Sequence, residues 1–198
     1  QTCALPISTA TANVVSNAVV GIIVTNGGSG YTTSPTITLT PGSGGGANAS
    51  VTYNGEDKKV GGNSAVRYMT RKVTLADGFD SGDLRVYLTA YKPTGSNIYV
   101  YYKLLSGSDS GVFDDKEYQL MTQLGNSNFV STNKKDYREL SFAPGASGTA
   151  NNTVSYTSGS TAFNSFKTFA IKIVMSGSDT TNVSKVRDLR AIALPAGS

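Results

Sequence analysis

Apolar residues in this chain recur at every second position over short stretches, not at helical spacing. Leu84, Val86, Leu88 and Ala90 alternate with Arg85, Tyr87, Thr89 and Tyr91, the period of a strand that buries one face. Ile98, Val100, Tyr102 and Leu104 repeat the pattern against Tyr99, Tyr101 and Lys103. Phe169, Ile171, Ile173 and Met175 repeat it again against Ala170, Lys172 and Val174. With the runs at 68–75, 118–124, 138–142, 153–156 and 186–194, eight strands are expected within 65–198. Many strands parted by turn residues predict an all-β protein, here an antiparallel β-sandwich of jelly-roll type, with an up-and-down barrel as the alternative. The turn residues 92–96 predict that the strands at 84–91 and 97–105 form a hairpin. That hairpin would gather Tyr87, Tyr91, Tyr99 and Tyr101 on one exposed surface.

The charge pattern divides the chain. Residues 1–55 carry no Lys, Arg, Asp or Glu, and charge begins abruptly at Glu56-Asp57-Lys58-Lys59. The division expected is a small Gly/Thr-rich β module over 12–56, a linker over 57–64 and the sandwich over 65–198. Strands are predicted in the module at 19–25, 36–39 and 49–53. The run G-S-G-G-G-A at 42–47 fits a loose dinucleotide-binding pattern, but strand-forming residues and Asn54-Gly55 follow it where a phosphate-binding helix would have to start. It reads as a turn. The opening QTCALPI is similar to the translation of a common sequencing-adapter stretch, so 1–11 is expected to be a non-native, disordered start to a chain whose true N-terminal part is missing.

Composition narrows the chemistry. There is no histidine among the 198 residues and one cysteine, Cys3, which excludes histidine-based triads, an internal disulfide and a thiolate metal site. The net charge is +4, from 17 basic and 13 acidic residues largely interleaved. With no nucleic-acid motif beside it, that charge reads as a solvated surface. No apolar run reaches the length of a membrane span, so membrane insertion is not expected. Asp77, Asp80 and Asp83, spaced by three in D-G-F-D-S-G-D, are the carboxylates a structural calcium ion would take, and serve equally well as turn residues. No other cofactor is expected. Asp114, Asp115 and Glu117, with Asp136 or Glu139, could be imagined as a glycosidase pair, but nothing sets two of them across a sugar-sized gap. The four tyrosines suit cross-strand stacking, a subunit contact or a sugar platform.

The run RYMTRKVTLADGFDSGDLRVYLTAYKPTGSNIYVYYKLLS, with DKEYQLMTQ, DYRELSFAPG and FKTFAIKIVMSGSDTTNVSKVRDLRAIALP, resembles the C-terminal portion of virion structural proteins of tailed bacteriophages, of the marine contractile-tailed type. The segment VTNGGSGYTTSPTITLTPGSGGGANASVT is similar to small β modules of phage tail and baseplate proteins. The resemblance implies a non-enzymatic tail, baseplate or fibre component located in the virion. It also implies contacts with other virion proteins and further copies of itself. The expectation from another class is a carbohydrate-binding module that touches a host surface glycan.

Overall fold

The computed structural model describes residues 9–15, 18–26, 55–62, 64, 66–125, 128–145, 153–177 and 181–195. The chain forms two compact units that divide between Gly55 and Glu56. In the first, β1 (Thr9–Val15) pairs antiparallel with β2 (Ala18–Asn26). Strand β2 contains the predicted run 19–25. Strand β1 was not expected, and it takes up Thr9 to Thr11 from the stretch expected to be disordered. The predicted strands at 36–39 and 49–53, and the glycine run, lie outside the described residues.

The second unit is a sandwich of two antiparallel sheets. Its strands are β3 (Arg67–Met69), β4 (Val73–Thr74), β5 (Asp83–Tyr91), β6 (Ser96–Leu105), β7 (Gln119–Leu120), β8 (Thr122–Leu124), β9 (Arg138–Ala143), β10 (Tyr156–Ser158), β11 (Thr161–Phe163), β12 (Thr168–Gly177) and β13 (Lys185–Leu194). One sheet runs β3-β12-β6-β7, with β4 also on β12, and the other runs β13-β5-β9-β8. Strands β10 and β11 form a separate hairpin. The pairs β4·β12, β5·β9 and β6·β7 nest inside one another, so the strands do not simply meander. An up-and-down barrel would pair only sequence neighbours.

The apolar faces read from the alternation are the buried ones. Leu84, Val86, Leu88, Ala90 and Val100 are fully buried, and Ile98, Tyr102, Leu104, Phe142, Phe166, Phe169, Ile171 and Ile173 belong to the same core. The hairpin reading of β5 and β6 is corrected, because the two strands lie in different sheets and face each other across the core. Period-two alternation fixes which side of a strand is buried, but it is identical for a neighbour in the sheet and a neighbour across the core. The turn at Pro93 to Ser96, closed by the Ser96 hydroxyl donating to the Pro93 carbonyl at 2.7 Å, carries the chain between layers.

Residues 56–62, expected at the module's end and in the linker, instead belong to the second compact unit. They lie as a strap on the outer face of the five-stranded sheet, hydrogen-bonded to Lys103, Tyr118 and Lys172. At the far edge of the other sheet, β13 carries a bulge between Arg187 and Arg190. There Asp188 adopts a left-handed φ of 57°, the conformation that one class of bulge uses.

Tyr102 gives the core a readable alkaline limit. Burial pushes its phenol from 10.0 up to about 12, so the fold holds it neutral where the unfolded chain would ionise it. Its stabilising effect is complete below pH 10 and disappears as pH rises through 12, a loss of about 3 kcal/mol. Burial likewise lifts Tyr156 to about 12. Lys103 and Lys172, with ammonium groups lowered by burial, act in the opposite sense. The melting temperature of Tyr102→Phe is therefore expected to fall less steeply between pH 10 and pH 12 than that of the parent chain.

Candidate interaction surface

The four tyrosines do not form one surface. Tyr87 and Tyr91 lie on β5 and Tyr99 and Tyr101 on β6, so the pairs belong to the outer faces of opposite sheets. Tyr91 is only 6% exposed, with its ring 6.0 Å from that of Tyr137. The Arg190 guanidinium sits 5.2 Å over the Tyr87 ring. Tyr101 is half-buried, with Lys172 Nζ 4.5 Å over its ring. Only Tyr99, at 39%, is openly exposed. Alternation had put all four outward correctly. It could not show that other side chains cover three of them.

The most unusual chemistry lies under the strap. Lys172 and Lys103 both project from the outer face of the five-stranded sheet, yet they are 0% and 4% exposed. Lys172 Nζ donates to the Glu56 carbonyl, to Glu56 Oε2 at 3.0 Å and to the Gly61 carbonyl at 3.1 Å. Lys103 Nζ donates to the carbonyls of Lys59 at 3.1 Å and Asp114 at 3.3 Å. Arg67 donates to the Gly61 and Gly62 carbonyls. Both ammonium groups lie 4.6 Å over the Tyr118 ring, and Lys103 is 5.8 Å over that of Phe113. Burial lowers both lysines, in Lys172 against the opposing pull of the Glu56 hydrogen bond. The cations stay tolerable there because carbonyls, a carboxylate and aromatic faces replace the lost water.

Gly61 and Gly62 turn the strap back with φ of 85° and 76°, a region where side chains are strained. A methyl group on Gly62 would also land on the Glu56 carboxylate. That carboxylate is fixed further by the Ser64 N–H, which donates to Oε1 at 2.8 Å. Around the rim, Lys58 pairs with Glu117 at 3.2 Å and Lys59 with Asp115 at 2.8 Å.

The carboxylates singled out in the sequence are dispersed. Asp77 pairs with Lys167 at 2.6 Å, and the buried Asp83 with Arg85 at 2.9 Å. Asp80 approaches the Gly107 turn instead. Among the described residues no three His, Cys, Asp or Glu side chains gather as metal ligands do. Asp115 and Glu117 are on strap lysines, Asp136 is paired with Arg138, and Glu139 with Arg190. Asp114 contributes its backbone carbonyl to Lys103.

One buried cluster escaped the sequence reading. Lys116 Nζ donates to Ser158 Oγ at 2.6 Å and pairs with Asp109 Oδ2 at 2.7 Å. Asp109 also accepts from the Tyr156 hydroxyl at 2.9 Å and the Gly111 N–H at 2.8 Å. Burial alone would raise the Asp109 carboxyl, but the bonds from Lys116, Gly111 and Tyr156 outweigh it and hold the group at about 2. Serine and lysine at this distance resemble a nucleophile and its base. However, an ammonium committed to an ion pair has no lone pair with which to accept the serine proton. The cluster ties the β10–β11 hairpin to the loop after β6.

Two hollows among the described residues have volumes of about 120 and 190 Å³, below the usual range for small-molecule sites. The larger opens at the β6–β7 edge, between Ile98, Tyr99, Leu120, Met121 and Phe142. Large apolar side chains stand exposed on the opposite margin. They are Val60 on the strap, Val66, Tyr68 and Met69 at β3, and Val73 on β4, between 43% and 60% exposed. No described helix is long and apolar enough to cross a membrane. No protein-family model, curated protein or solved structure matches this chain.

Proposed function

We propose that this chain is a virion structural protein, a tail or baseplate/fibre component of a tailed phage that acts by fitting against other virion proteins and against its own copies. The observation that carries the assembly reading is the apolar margin of Val60, Val66, Tyr68, Met69 and Val73. Exposed apolar side chains grouped on one margin mark a contact surface. The phage assignment rests on the resemblance of the quoted segments.

Paired substitution of the margin, Val66→Asp with Tyr68→Asp, is expected to reduce incorporation of the chain into native particles at least tenfold without changing its cooperative unfolding. Particle composition by quantitative mass spectrometry would measure this. Unchanged incorporation would count against the margin. Tyr99→Ala separates the carbohydrate reading, because selective retention on a glycan array that this change abolishes would favour a host-surface module.

A further inference from the structure

We propose that the cationic, aromatic seat beneath residues 56–62 is an acceptor that takes the same strap from a second copy of this chain. The proposal deepens the assembly reading by naming a partner and the segment exchanged. It rests on that reading only for its biological use.

The occupant is defined by what the seat already holds. Four strap carbonyls, those of Glu56, Lys59, Gly61 and Gly62, accept hydrogen bonds from Lys172, Lys103 and Arg67. The Glu56 carboxylate lies on Lys172, and the Asp57 carbonyl accepts from the Tyr118 N–H at 2.6 Å. The chemistry is complementary in charge, with three cations facing one carboxylate and a row of carbonyl dipoles. A strap from a second copy presents the same groups and makes the same contacts.

The strap is also built to leave in one piece. It contributes no strand to either sheet, so its departure breaks no rung of a ladder. It begins where the two compact units divide, and it ends five residues before Arg67, where β3 starts. Because the closed and exchanged states share their contacts, the balance between them is set by local concentration, the condition under which exchange of identical elements links protomers. At the crowding of an assembled particle, exchange joins each copy to the next. In dilute solution, each strap returns to its own seat.

Two full-length variants test this. Lys103→Met with Lys172→Met removes the acceptor and leaves the strap intact, while Glu56→Lys reverses the charge that faces Lys172 and leaves the acceptor intact. Separately, each is expected to be monomeric by light scattering. Mixed in equal amounts, they are expected to form a 1:1 dimer, because the intact strap of one finds the intact seat of the other. A fluorescein-labelled peptide of residues 55–64 should bind the Glu56→Lys chain saturably, and the double-methionine chain at least tenfold more weakly. If Glu56→Lys does not melt cooperatively, Glu56→Gln takes its place.

A monomeric mixture, or peptide binding equal in the two variants, overturns the proposal. Transfer in solution without any effect of seat variants on particles would leave the acceptor standing and count against the assembly reading. Loss of incorporation through the margin without strap transfer would do the reverse.

Discussion

Lys172→Ala is expected to lower the unfolding free energy by about 4 kcal/mol, the scale of breaking a buried ion pair from one side. The ammonium it removes holds the Glu56 carbonyl, the Glu56 carboxylate and the Gly61 carbonyl, and the position is fully buried. Lys172→Met keeps most of the side-chain volume between Tyr101 and Tyr118. The Glu56 side chain, 20% exposed, can partly rehydrate, so a loss of about 2 kcal/mol is expected. Urea titrations of both variants would measure the difference. Equal losses would mean that the charge, and not packing of the stem, holds the strap.

Phe166→Ala is the second large effect, at about 4 kcal/mol. The ring is fully buried and meets Phe169 edge-on at 5.7 Å between centroids. Its backbone exchanges hydrogen bonds with Ser81 at 2.8 and 3.0 Å, so the cavity would open where the chain enters β12 and where the loop before β5 is pinned. Little in that frame can collapse to fill the void. Phe166→Leu refills most of the volume and should cost less than about 1.5 kcal/mol. Thermal unfolding of the pair would show whether this corner is as tightly packed as its geometry implies.

Local chemistry was legible in the sequence where it decided the outcome. Leu84 to Ala90 and Ile98 to Leu104 showed their buried faces directly, because alternation is a property of the strand alone. Whether β5 and β6 are neighbours in a sheet or across the core depends on partners far along the chain, and the tyrosine surface went with that misreading. Lys172 and Lys103 fell correctly on the outer faces of their strands. Their burial depends on a strap 116 residues away in the case of Lys172 and Glu56, and no window of sequence contains both. Asp57 to Gly62 looked like a linker because glycines and mixed charges usually solvate one. Here the charges are partners and the glycines are the bend. Asp77 and Asp83 look alike in sequence, and the structure exposes the first beside Lys167 and buries the second against Arg85.

The kink at Asp188 bears on how such molecules behave when concentrated. A straight ten-residue margin would be an invitation to unlimited edge-to-edge zippering. The left-handed residue breaks the rhythm of that margin midway, and Arg187 and Arg190 flank the break. Fibrous growth along β13 is thereby discouraged, so packing density can rise without copies fusing into continuous pleated ribbons.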